Sequence, residues 1–145
     1  MTETRLSLKH RKDLSANTPH KENALQEIKQ ATGQESWRFE LSDEELVDIN
    51  EKVESGYRDR LGTVLYGIYL PQLAKRITQL CKEERVKEAL LEGASKRVIT
   101  FRLVERTERY QECRFEEGVL VMQCMPYRLW TNIDTLGNDI EERLM

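Results

Sequence analysis

Residues 98–125 begin Val98-Ile99-Thr100-Phe101-Arg102-Leu103 and, after a polar stretch, continue Tyr110-Gln111-Glu112-Cys113-Arg114-Phe115. Past Glu116-Glu117-Gly118 the chain reads Val119-Leu120-Val121-Met122-Gln123-Cys124-Met125. Large apolar residues alternate with polar ones in these runs, the period of a half-buried strand. The acidic-glycine pair Glu117-Gly118 suits the tight turn of a hairpin. A two-residue turn there sets Phe115 opposite Leu120 and Cys113 opposite Met122. A loop centred on Thr107 would set Phe101 opposite Cys113 and Ile99 opposite Phe115, with Arg102 opposite Glu112 on the other face. These registers gather the large apolar side chains on one face, so the expected sheet is an antiparallel β-meander.

On the N-terminal side the period becomes helical. Ser42-Asp43-Glu44-Glu45 has the residues of a capping box, and its acids complement the positive end of a helix dipole. From there Leu46, Ile49, Val53, Tyr57, Leu61, Val64 or Leu65, and Ile68 recur at spacings of three and four, which predicts a long amphipathic helix. Pro71 places a kink or a new start at Leu70. A second helical stretch runs through Leu73, Ile77, Leu80, Cys81, Val86, Leu90 and Leu91 to Gly93. Earlier, a short helix is expected from about Pro19 to Ala31, stopped by Gly33, followed by a half-buried strand at residues 37–41. After Pro126, the run Tyr127-Arg128-Leu129-Trp130 reads as extended or turn-like. A last helix capped by Asn132 carries Ile133, Leu136, Ile140 and Leu144 on one stripe.

Residues 1–22 hold five basic groups against three acids, with Leu6, Leu8 and Leu14 as their large apolar side chains after Met1. Such a segment buries little, and a flexible basic tail is expected there. The fold class expected is therefore α+β. A helical N-terminal half packs on a three- to four-stranded antiparallel meander, closed by a C-terminal helix, with residues 23–145 as a single domain. The order helix, three antiparallel strands, helix resembles in outline a double-stranded-RNA-binding domain. The last helix carries Asp139, Glu141 and Glu142 where that family presents lysines to phosphate, so no family is assigned.

The chain has 145 residues, 23 Lys and Arg against 26 Asp and Glu, and a net charge of −3. Mild acidity argues against a surface that grips nucleic acid throughout. The longest charge-free stretch, residues 61–74, is short of the roughly 20 apolar residues needed to cross a bilayer, so no membrane partner is expected. The first residues form no apolar signal core, and the three cysteines, Cys81, Cys113 and Cys124, match neither a disulfide framework nor a zinc motif. A cytoplasmic location is the expectation.

Both histidines, His10 and His20, lie near the N-terminus. The body therefore lacks the imidazole that Ser-His-Asp or Cys-His catalysis requires, and no enzyme activity, metal or cofactor is expected. Gly56, Gly62 and Gly67 match no phosphate-binding loop and are read as sites of close helix packing or bending. The acids from Asp43 to Glu54 are read as a solvated helix face. The candidate binding residues are Arg102, Tyr110 and Arg114 on the outer sheet face, with Tyr127, Arg128 and Trp130 at its edge. Arginine and aromatic side chains together are enriched where proteins meet proteins. The expectation is a non-enzymatic protein–protein interaction module, an adaptor, assembly factor or regulatory subunit, whose partner is another protein or a second copy of the chain. The alternative is an RNA- or DNA-associated regulator using the basic tail and the Arg/Tyr face, since such residues also stack bases and meet phosphates.

Overall fold

A computed structural model describes residues 6–145. Its order is α1 (Leu8–Thr32), β1 (Arg38–Phe39), α2 (Asp43–Lys52), a π-helical segment (Gly62–Tyr69), α3 (Leu70–Leu80), α4 (Glu84–Gly93), β2 (Val98–Leu103), β3 (Glu112–Glu116), β4 (Val119–Cys124) and α5 (Asp134–Leu144). Helices and strands are mixed, as expected. No helix among the described residues is long and apolar enough to cross a membrane.

The hairpin forms in the expected register. Phe115 lies opposite Leu120 and Cys113 opposite Met122. Glu117 and Gly118 both take positive φ, 51° and 82°, the backbone that a twisted two-residue hairpin turn requires. The antiparallel meander is corrected: the strand order is β1-β2-β4-β3. Strand β4 enters between β2 and β3, and β2 pairs with it in parallel, Phe101 beside Met122 and Arg102 beside Gln123. Arg102 therefore does not face Glu112, and the outline likeness to an RNA-binding domain ends with the meander. Alternation has a period of two, so it sets which face a side chain takes but not which strand lies next to which. The run Val119-Leu120-Val121-Met122 is apolar on both faces, which suits the doubly covered centre of the sheet. Leu120, Val121, Met122, Gln123 and Cys124 are all buried.

The tail is corrected as well. Residues 1–5 lie outside the described residues, but residues 8–22 belong to α1, which starts at Leu8 and holds Pro19 in its interior. Ser7 caps the helix by accepting from the His10 amide at 3.0 Å, and Gly33 ends it in the left-handed region. What holds this polar stretch is a close approach of two backbones. A Cβ at Gly62 would lie 2.6 Å from the Asp13 carbonyl oxygen and 2.7 Å from the Leu14 Cα. Asp13 then receives the Thr63 amide at 3.1 Å and the Thr63 hydroxyl at 2.5 Å. Tertiary contact thus offsets the ordering entropy that weighed against a helix here.

The Ser42 capping box forms in both directions, Glu45 amide to Ser42 Oγ at 3.1 Å and Ser42 amide to Glu45 Oε1 at 3.0 Å. The single long helix expected after it is three pieces. α2 ends at Lys52, a turn closes at Asp59, whose amide donates to Asn50 Oδ1 at 2.7 Å, and the chain resumes as the π-helical segment. The change from π to α falls at Leu70, beside Pro71, with the Leu70 amide on the Leu65 carbonyl. The second expected helix is also divided, at residues 81–83. Apolar spacing reports which side chains turn inward, and Ile49, Val53, Leu61, Val64 and Leu65 all do so across the breaks.

One core joins Ile28 of α1, Leu73 and Ile77 of α3, Leu90 of α4, and Leu136 and Ile140 of α5 to Ile99, Phe101, Leu120 and Met122 of the sheet. Trp37 is 2% exposed and donates to Thr32 Oγ1 at 2.8 Å, so it serves as a core anchor.

Candidate functional site

The segment 126–131 follows central strand β4 and is held from beneath. Leu129 is buried, and Tyr69, also buried, brings its hydroxyl to the segment. That hydroxyl accepts from the Trp130 amide at 3.0 Å and donates to Gln111 Oε1 at 2.7 Å. Gln111 Nε2 in turn donates to the Arg128 and Thr131 carbonyls, each at 2.9 Å. Cys124 Sγ lies 3.6 Å from the same hydroxyl. Burial pushes the Tyr69 phenol up, with Cys124 adding to it against the opposing hydrogen bonds from Trp130 and to Gln111. Burial likewise pushes the Cys124 thiol up to about 12, against its contact with Tyr69. Both groups stay neutral, and the cluster serves as a hydrogen-bonded anchor.

From this anchor the side chains of the segment project outward. Arg128 Cζ lies 4.4 Å from the Tyr110 ring centre and 5.5 Å from that of Tyr127, within cation–π range of both. Trp130, at φ 68°, turns its ring toward Tyr57, with centroids 6.1 Å apart. Tyr127 is 61% exposed, and Tyr110 and Trp130 are 39% exposed each. Four of the six candidate residues, Tyr110, Tyr127, Arg128 and Trp130, are therefore gathered around one short segment.

Arg102 and Arg114 are not part of it. They lie on the outer sheet face and turn to neighbours within the chain. The Arg102 guanidinium donates to Gln123 Oε1 at 2.7 and 2.9 Å and to Glu116. Arg114 donates to Glu112 Oε1 at 3.0 Å and to its neighbour Cys113's carbonyl at 2.9 Å. A nucleic acid would have to displace these carboxylates to use the two cations.

Two acids missed by sequence reasoning organise this region. Glu112 is 1% exposed, and its four hydrogen bonds come from Gln123, Arg114 and the amides of Glu108 and Arg109, at 2.9 to 3.2 Å. Burial pushes its carboxyl up, but the bonds from Gln123, Arg109 and Glu108 and the charge of Arg114 outweigh that and hold it below the ordinary range. Asp139 of α5 is 2% exposed and accepts the Cys113 amide at 2.7 Å. Arg109, Arg114 and Arg143 surround it at 3.5 to 3.6 Å. Glu112, Asp139, Arg109 and Arg143 line a polar cleft of about 370 Å³ with Glu142, which pairs with Arg109. The bonds tie α5 along the outer edge of β3 and cover the edge strand. One signal was available: Asp139 stands three residues after Leu136 and next to Ile140, on the apolar stripe of its helix.

Burial and the Asp139 charge push the Cys113 thiol up, and burial does the same to Cys81, so neither is an activated thiolate. Among the described residues, no group of three His, Cys, Asp or Glu side chains is arranged to hold a metal ion. A cleft of about 710 Å³ runs between residues 27–31 of α1 and 71–79 of α3 and holds one acid and one cation, Glu27 and Lys75. Comparison with known proteins returns no match: no family model fits the chain, and neither a curated protein nor a solved structure matches it.

Proposed function

We propose that the chain is a non-enzymatic protein–protein interaction module, an adaptor, assembly factor or regulatory subunit, that binds through the segment 126–131 and its aromatic neighbours. One observation carries this reading: exposed Tyr127 and Trp130 and half-buried Arg128 stand on a segment whose backbone is fastened to buried Tyr69 and Gln111, with exposed Tyr110 beside them. Rigid aromatic and arginine side chains give large contact area at small entropic cost, which is why they dominate binding hot spots. Arg128 stacks on rings instead of pairing with a carboxylate among the described residues, which favours an acidic partner segment that also carries apolar side chains.

The test is selection from a displayed random-peptide library on the immobilised chain. Acidic, apolar-bearing peptides should be retained by the native chain and lost from a double variant, Tyr127→Ser with Arg128→Ala, that keeps its circular dichroism. Equal enrichment on both proteins, or none, overturns the reading. Retention of oligonucleotides at low salt by the native chain alone would replace it with the nucleic-acid alternative. A dimer mass under native conditions, abolished by the same two substitutions, would identify the partner as a second copy.

A further inference from the structure

Of the two histidines, His20 is exposed on α1, whereas His10 is 1% exposed and its Nε2 has no hydrogen-bond partner among the described residues. His10 occupies the third position of α1, at the end of the helix where the dipole disfavours positive charge. Exposed Lys9, Arg11 and Lys12 flank it in sequence and add to that cost. Among the described residues, the charged groups that face the imidazole are Asp13, one turn along α1, and Asp59, in the turn after α2. The π-helical segment against which this end of α1 packs carries no charged residue.

Both acids also hold the start of α1 to its neighbours. Asp13 holds the Thr63 amide and hydroxyl, and Asp59 Oδ1 receives Ser7 Oγ and Asn50 Nδ2, each at 3.1 Å. The same bonds fasten the start of α1 to the turn and to the π-helical segment. A proton on the imidazole would place a charge at a buried position, where the cost of desolvation exceeds the attraction of the two carboxylates.

We propose that His10 is a proton-operated latch: its neutral imidazole keeps the first half of α1 docked on the Asp59 turn and the Gly62–Tyr69 segment, and protonation releases that half. Release uncovers the charge-free face that α1 covers at Gly62 and Gly67. The latch titrates no group of the aromatic surface, although its docking segment ends at the anchor Tyr69 and its turn carries Tyr57, which meets Trp130. Burial holds His10 below its ordinary value of 6.5, with Asp59 and Asp13 opposing. The released state therefore binds more protons. Docking is unaffected above about pH 6.5 and weakens as pH falls from there through the docked-state value.

Amide exchange and imidazole titration, both read by NMR on the intact chain between about pH 7.5 and 5, test this. The amides of residues 11–18, corrected for intrinsic rates, should lose protection by up to about tenfold per pH unit over the His10 transition. Protection in α3 and β4 should stay intact, and a His10→Phe variant should keep α1 protected throughout. His10 itself should titrate below 6.5 in the native chain. This second readout stands even where the variant folds poorly. Titration at or above 6.5, equal loss of protection in the variant, or joint loss in α3 and β4 overturns the latch.

Discussion

Arginine builds two surfaces of this chain, and the two differ in what the guanidinium meets. On the outer sheet face Arg102 and Arg114 meet Glu116 and Glu112, and Arg114 also stands 3.6 Å from Asp139. Around residue 128 the guanidinium, half-buried, meets the rings of Tyr110 and Tyr127. In the first region every carboxylate oxygen of Glu112 is filled from within the chain, so its charges serve folding. In the second the cation is held in place but not neutralised, so it remains available for recognition. The neighbour, more than the residue type, decides which role an arginine takes.

Substitutions sharpen this contrast. The largest loss is expected for Asp139→Ala: the stranded Cys113 amide alone costs about 1–3 kcal/mol, and the lost attraction to three partly exposed arginines adds to it. Urea unfolding should show it as a lowered midpoint, and Asp139→Asn, which keeps an acceptor for the amide, should cost less. Tyr69→Phe comes next, at about 1–3 kcal/mol, because the Trp130 amide and Gln111 Oε1 lose their shared partner. Its specific signature is loosening of the 126–131 segment, read by Trp130 fluorescence in a Trp37→Phe background. A Trp130 spectrum unchanged from the parent would break the assignment of Tyr69 as the anchor.

Acid separates the regions more gently. The Glu112 carboxyl lies below its ordinary 4.5 in the fold, so its stabilisation is present above that pH and lost as pH falls through the folded value. The unfolding midpoint of the native chain should therefore fall more steeply on the acid side than that of Glu112→Gln. The smallest effect on stability is expected for Arg128→Ala, about 0.5–1 kcal/mol for the lost ring contacts. A loss as large as that of Asp139→Ala would erase the contrast between the two regions.

Much of the core was legible beforehand. The hairpin register, the Ser42 box, the Gly33 stop and the inward-facing helical residues all follow from short-range spacing and local backbone chemistry. The candidate surface was half legible. Tyr127, Arg128 and Trp130 are neighbours in sequence, and Tyr110 joins them because Gln111, the next residue, fastens the end of its loop to the Arg128 and Thr131 carbonyls. Arg102 and Arg114 were placed on the correct face, but their occupation by Glu116 and Glu112 depends on β4 lying between β2 and β3. That insertion also put Arg102 beside Gln123. Glu112 reads from sequence as one more outward charge on a strand, and only three-dimensional enclosure makes it a buried hub.

The sequence by itself determined the local elements and their faces, because periodicity, caps and turn chemistry act over a few residues. It also confined histidine to the first twenty positions, which sets the terms for any proton chemistry. Only the tertiary structure decided the order of the strands, the helical state of residues 8–22 and the environment of His10. Each of these rests on contacts between distant segments, such as Asp13 with Thr63, whose favourable burial and hydrogen bonding outweigh a weak local preference.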